Sequence, residues 1–202
     1  MHHIEHLSKD KKLKKIIESQ TPHSLVKRKN VYLYLCFSIM GQQLSTKVAA
    51  VIRQRFIDLF PTQKPTSQQI LDMPFETLRG IGLSNAKVSY VHNVCRFFME
   101  EKITDAKLNK MNNEELIKYL SGIKGVGQWT VEMVLMFTLG REDVFALDDL
   151  GIQQSVTRLY NLQIDNKKLL REKIKSLSEK WSPYRTYACL YLWNWKDNKP
   201  KV

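Results

Sequence analysis

The sequence predicts an all-α protein, and three observations carry that prediction. Apolar residues recur at helical spacing through nearly every segment. No long run alternates apolar and polar residues as a half-buried strand would. Capping residues, glycines and prolines fall where one periodic segment gives way to the next. With 202 residues, 43% of them apolar, the chain is long enough for one substantial core, or for two small lobes sharing one.

Taken in order, residues 9–19 form a short basic amphipathic helix with Leu13, Ile16 and Ile17 on one face. Pro22 and the cluster Lys27-Arg28-Lys29-Asn30 mark a break. Helix 31–41 is apolar nearly all round, through Tyr32, Leu35, Cys36, Ile39 and Met40, which predicts the buried central helix. Ser45 to Leu59 is another helix, closed by Phe60-Pro61. After the Pro/Ser/Thr/Gln connection 61–67, Ser67 is expected to cap a short helix, 68–73. Phe75 to Leu78 leads to Arg79-Gly80-Ile81-Gly82-Leu83-Ser84, which stops one helix and starts another at 85–100. Asn113 is expected to cap helix 114–120, and helix 128–139 stops at Gly140. Residues 149–160, 166–180 and 183–195 read as the last three helices.

The formal charge of +12 and a sequence pI near 9.6 point to a polyanionic partner, with nucleic acid first, because neutralising phosphates releases counterions. A solvated lysine face without a ligand is the plainer reading of the charge alone. Cys36, Cys95 and Cys189 are scattered among apolar residues and read as buried thiols of a reducing compartment. The longest apolar run, Val31 to Gly41, is too short to span a bilayer. The N-terminal segment, with Lys9 to Lys15 after His2, His3 and His6, lacks the apolar region of a signal peptide. A soluble, intracellular and monomeric protein is expected, cytoplasmic and associated with the nucleoid in a bacterium.

The most informative stretch is Leu120-Ser121-Gly122-Ile123-Lys124-Gly125-Val126-Gly127-Gln128-Trp129-Thr130. Glycines at this spacing between two periodic segments describe a tight hairpin that opens into a helix, with backbone N–H groups aimed outward where a phosphate can accept them. Further on, Val144-Phe145-Ala146-Leu147-Asp148-Asp149-Leu150 places an acid at the start of the next helix. The stretch 78–84 is a weak echo of the hairpin, explained equally well as a helix C-cap or as a second backbone contact to a strand.

On these residues the chain resembles the helix–hairpin–helix DNA glycosylase superfamily, and within it the alkylpurine branch, 3-methyladenine DNA glycosylase II. The hairpin, the segment Asp143 to Gly151, the stretch Trp181-Ser182-Pro183-Tyr184-Arg185-Thr186-Tyr187-Ala188 with Leu192-Trp193, and Ile39-Met40-Gly41-Gln42-Gln43-Leu44-Ser45 occur in the family's order over about residues 20–198. The resemblance implies one glycosylase domain, 1–202, made of two helical lobes with a DNA-binding cleft between them. One lobe is expected over 32–141, the other over 1–31 with 142–202. It implies a double-stranded DNA partner containing alkylated bases, no membrane association, and release of 3-methyladenine, with 7-methylguanine as a further substrate, to leave an abasic site.

The resemblance also assigns roles. Asp149 is the expected catalytic carboxylate, which stabilises the positive charge developing at the sugar and orients the attacking water. Read from local sequence alone, Asp149 is simply a helix cap, and Asp148 is expected to take that role instead. Trp129 stands where lyase-type relatives carry a Schiff-base Lys, so a strand nick by an amine is not expected. Trp129 and Trp193 are expected walls of the base pocket, by cation–π stacking on an electron-poor base, and each reads otherwise as a core aromatic. Met133 belongs to the same pocket, where some relatives have Tyr.

Gly122, Lys124, Gly125, Gly127 and Thr130 are expected at a phosphate 3′ of the lesion. The family often holds a monovalent cation, Na+ or K+, on carbonyls of such a turn. By position these are Ser121, Ile123 and Val126, in a structural role. No cofactor is required, and without a four-cysteine cluster no iron–sulfur centre is expected. The wedge that fills the space of a flipped base is Gln43 or Leu44; as a plainer alternative, Gln42 and Gln43 only cap a helix junction. Two other readings stay open: a noncatalytic helix–hairpin–helix protein that binds damaged duplex, and a glycosylase for uracil, hypoxanthine or oxidised guanine.

Overall fold

The computed structural model describes residues 2–198. Among them are thirteen α-helices and no strand: α1 (His2–Leu7), α2 (Lys11–Glu18), α3 (Val31–Gly41), α4 (Thr46–Asp58), α5 (Ser67–Leu71), α6 (Phe75–Gly80), α7 (Asn85–Glu100), α8 (Asp105–Lys110), α9 (Asn113–Ser121), α10 (Gln128–Phe137), α11 (Leu150–Tyr160), α12 (Lys167–Glu179) and α13 (Arg185–Asp197). The chain divides into two compact units, one comprising Arg28–Val134 and the other the segments up to Lys27 and from Leu135 on. The expected lobes began at 32 and 142. The first boundary lies earlier because Asp105 of α8 accepts from the backbone N–H groups of Asn30 (2.6 Å) and Val31 (3.1 Å), which ties the end of the basic cluster to the central unit. The second boundary falls inside α10.

In the central unit α3 packs against α4 and α7, and α5 and α6 pack against α7. Val31, Leu33, Leu35, Cys36, Ile39 and Met40 of α3 are buried, as are Val88, Val91, Val94, Cys95 and Phe98 of α7. Each such aliphatic side chain contributes about 1.5–3 kcal/mol on leaving water. The Asp105 carboxylate serves this end because Asn30, at φ 67°, makes no side-chain capping bond to α3.

In the other unit α2 packs on α11 and α13, and α11 on α12 and α13. Leu13, Ile16 and Ile17 are buried on one face of α2, as the sequence periodicity requires. Asp10 caps α2 and also accepts from Trp181 Nε1 (3.2 Å) and from the hydroxyl of Tyr160. The basic N-terminal helix is therefore fastened to its own unit, with Lys11, Lys14 and Lys15 left exposed. Burial pulls the Asp10 carboxyl upward, and the hydrogen bonds from Tyr160, the α2 backbone and Trp181 outweigh it, leaving Asp10 below its ordinary value. Cys36, Cys95 and Cys189 are buried, and no disulfide forms among the described residues. No helix among the described residues is long and apolar enough to cross a membrane.

Candidate active site

The expected hairpin joins α9 to α10. Asn112 caps α9 through a reciprocal pair with Glu115, one residue before the Asn113 expected from sequence. Val126 N–H bonds to Ile123 O (2.9 Å), closing the turn. Gly125 sits at φ 103°, and a Cβ there would lie 2.2 Å from Cγ of Tyr90 on α7. The turn is thus seated on the Tyr90 ring. Gly127 has no atom within 4 Å of where a Cβ would point, so its face is open. Gly122 and Lys124 are exposed, and Gly125 is half-buried. Thr130 is only 2% exposed, and its Oγ1 accepts from Gln42 Nε2 at 3.3 Å. Its hydroxyl therefore serves packing, and what it offers a phosphate is the backbone N–H of the first turn of α10, which a helix leaves without an internal acceptor.

The turn between α3 and α4 is built next to this hairpin. Gln42 Nε2 also donates to Gly125 O (3.4 Å). Lys87 of α7 donates to Met40 O (2.9 Å) and Gln42 O (2.7 Å), and burial lowers its pKa. Gln43 follows at φ 59° and Leu44 is 38% exposed; Ser45 then caps α4. Both wedge candidates thus project from one turn held at its base by Lys87 and Gln42. That pair was invisible to local sequence patterns because its contacts span more than forty residues. The cap reading holds in part: Gln42 is the C-cap of α3, its backbone N–H bonded to Ile39 O, while Ser45 supplies the α4 cap and the Gln42 side chain bonds to the hairpin. Trp129 lies in the first turn of α10 and is 38% exposed, so it is no core aromatic; Met133, one turn on, is half-buried.

Among the carbonyls expected to hold a cation, Ile123 O already accepts from Val126 N–H, which leaves it one lone pair. Ser121 Oγ is buried and has no hydrogen-bond partner. An unsatisfied oxygen at the start of a turn rich in carbonyls is compatible with a hard monovalent ion.

In the other unit the strap 141–149 carries Asp149. Asp149, not Asp148, is the N-cap of α11: its Oδ1 accepts from Ile152 N–H at 2.9 Å. The same oxygen accepts from Trp193 Nε1 at 2.9 Å. Asp148 instead takes a two-pronged bond from Arg171, at 2.7 and 3.1 Å, which holds its carboxyl below the ordinary value. Consecutive acids look alike in sequence; the tertiary partner decides between them. Trp193 is half-buried and its ring centroid lies 6.0 Å from that of Phe137, which is 38% exposed. Phe137 escaped the sequence reading, although it repeats the four-residue spacing of Trp129 and Met133. Gly151 makes room here, since a Cβ on it would stand 3.0 Å from Asp149 Oδ1 and 3.4 Å from both Lys196 Nζ and Trp193 Cδ1.

The stretch 181–188 is the clamp on this strap. Arg185 grips Asp143 with two bonds, at 2.6 and 2.9 Å, and Ser182 Oγ adds a third at 2.8 Å. Thr186 donates its hydroxyl to Arg141 O and accepts from Val144 N–H (3.0 Å). Burial raises the Asp143 carboxyl, but the bonds from Arg185 and Ser182 outweigh it and the net pKa is lowered. A depressed carboxylate stabilises the fold above its unfolded value of 3.8, and that stability is lost as pH falls through the folded value. Thermal unfolding scanned from neutral to acid pH is therefore expected to fall less steeply below pH 4 for Asp143→Asn than for the parent. Equal slopes would remove Asp143 from this role.

The model of the HhH-GPD superfamily base excision DNA repair proteins matches residues 36–180. The chain belongs to this superfamily. It is 36% identical over 185 residues to DNA-3-methyladenine glycosylase 1 of Schizosaccharomyces pombe, covering 91% of this chain and 80% of that one. The solved S. pombe 3-methyladenine DNA glycosylase (Mag1) in complex with abasic DNA matches with a TM-score of 0.87 and 32% identity over the whole of both chains. DNA-3-methyladenine glycosidase from Bacillus halodurans matches with a TM-score of 0.81 and 33% identity, over 96% of this chain and 88% of that one.

Proposed function

We propose that the protein is a monofunctional DNA glycosylase that hydrolyses the N-glycosidic bond of alkylated purines, chiefly 3-methyladenine, turned out of duplex DNA. The observation that carries this reading is the Asp149 carboxylate, fixed by Ile152 N–H and the indole of Trp193 on a clamped strap. In this reaction the bond between C1′ and the base nitrogen breaks, and its electron pair neutralises the cationic base. A water oxygen bonds to C1′, and its proton passes to Asp149 or to solvent. Asp149 stabilises the positive charge on the sugar, where a preorganised carboxylate contributes most. A base that leaves neutral needs no general acid.

Trp129, with Met133, offers an aromatic and a sulfur surface to the flipped base, and Trp193 both fixes Asp149 and presents its indole edge. Gly122 to Gly127 and the first turn of α10 hold a backbone phosphate. A monovalent cation on the carbonyls of Ser121, Ile123 and Val126 would add positive charge beneath that phosphate. Gln43 or Leu44 enters the duplex. Mass spectrometry of bases freed from methylated duplex DNA tests this reading. Free 3-methyladenine, alkali-labile abasic sites and no borohydride-trapped adduct are expected. Tight binding of abasic duplex without base release would instead mark a noncatalytic damage-binding protein.

The Lys87–Gln42 brace has a separable effect. Lys87→Met keeps most of the stem but frees Met40 O and Gln42 O. Loosening the wedge turn is expected to lower the single-turnover rate about 10–100-fold, as small misplacements at a reacting centre do. Flipping, followed by a fluorescent base analogue, should slow in parallel. An unchanged flipping signal would remove the brace from wedge positioning.

A further inference from the structure

We propose that a groove at the N-terminal end of α3, away from the wedge turn, is a second phosphate-binding site for the duplex that flanks the lesion. The groove has a volume of about 420 Å3, and Arg28, Lys29, Arg53 and Lys64 line it together with Tyr34 and Phe37. No acidic side chain is among its lining residues. Asp105, beside the lining residue Asn30, accepts from the backbone of Asn30 and Val31.

Arg53 defines the site. Its guanidinium lies 4.1 Å over the ring of Phe37 and 5.9 Å from that of Tyr34. It makes no hydrogen bond or ion pair among the described residues. A guanidinium over an aromatic face keeps N–H groups available in the forked arrangement that matches a phosphate. Arg28 stands 5.5 Å over Tyr34 on the same wall. Holding a stacked Arg before the ligand arrives reduces the ordering cost of binding.

The position fits DNA rather than an isolated anion. The groove runs along α3 from its N-terminal end to Phe37, which carries the stacked Arg53, so helical rise puts it about 9–18 Å from Gln43, or roughly three to five base-pair steps along a duplex. A duplex running along α3 from the wedge would bring phosphates over that span. This inference rests on the glycosylase reading for the identity of the polyanion.

Anisotropy with duplex carrying one abasic site across a salt series tests it, using Arg53→Ala, Arg53→Lys and the double variant Arg53→Glu/Lys64→Glu. The double variant is expected to bind long duplex about tenfold more weakly at low salt, and its salt slope should shrink by about 1–2. Arg53→Lys, which keeps the charge but not the fork, should fall between Arg53→Ala and the parent. A duplex ending about two base-pair steps from the abasic site on the groove side should be bound equally by all four proteins. Single-turnover excision from a methylated duplex cut short in the same way should also be unchanged, which reports both correct folding and the separate standing of the glycosylase reading. Unaltered long-duplex affinity and slope in the double variant would overturn the inference. So would loss confined to an acidic peptide probe, which would make the groove a protein-docking surface instead.

Discussion

Asp149→Asn is expected to lower single-turnover base release by about 10²–10⁴-fold, while the fold and binding to abasic duplex persist. Asn is as good an N-cap as Asp, and its amide oxygen can still accept from Ile152 N–H and Trp193 Nε1, the two bonds that fix Oδ1. The substitution therefore removes charge with little change in shape. Asp149→Ala is a poorer probe: it also deletes a cap worth about 1 kcal/mol and strips the Trp193 indole of its acceptor. Rapid-quench assays on a methylated duplex, with calorimetry of both variants, separate the two effects. An Asn variant that releases bases at the parental rate would end the catalytic assignment, leaving Asp149 as a helix cap that also orders Trp193.

The second large effect is on the hairpin. Gly125→Ala introduces a methyl at φ 103° that would overlap Tyr90, with contacts of 2.2, 2.5 and 2.6 Å. Backbone strain and overpacking together are expected to cost about 2–4 kcal/mol, seen as a lower urea midpoint and as loss of DNA binding. Adding Tyr90→Ala removes the overlap but not the strain, so recovery should be partial. Gly127→Ala is the informative contrast. A methyl there enters open space, so stability should hold while DNA affinity drops, given the proposed approach of a phosphate to this face. If Gly127→Ala binds DNA normally, the open face of the hairpin is not the contact surface.

These two sites also mark how far the sequence could be read. Amphipathic periodicity locates α2, α4, α7 and the helices from α9 on within a few residues, because each buries a face at helical spacing, and α3 is legible as an apolar run of helical length. The six-residue helices α1 and α8 are not legible: they are too short to show a period and, unlike α5 and α6, no proline or glycine bounds them. Two caps were placed one residue late. Thr66 and Asn112, not Ser67 and Asn113, cap α5 and α9, and the signal that distinguishes them is a Gln or Glu three residues on, which closes a capping box. The glycine hairpin was legible because φ above zero and close approach leave few alternatives to glycine.

The supports of the site were not legible. Lys87 reaching the carbonyls of Met40 and Gln42, Arg185 holding Asp143, and Arg171 choosing Asp148 over Asp149 are contacts between residues far apart in the chain. No local pattern encodes them. The stretch 181–188 matched as a motif, and its physical role, fastening the strap that presents Asp149, emerged only from its hydrogen bonds.

The central claim is that the Asp149 charge stabilises a cationic sugar. Its most direct test compares the affinity of parent and Asp149→Asn for two duplexes, one carrying a cationic azasugar at the lesion position and one a neutral abasic analogue. The parent is expected to prefer the cationic duplex by about 10²-fold or more, as enzymes prefer mimics of their transition states, and the Asn variant to lose that preference while binding the neutral duplex normally. An undiminished preference in the Asn variant would contradict the account.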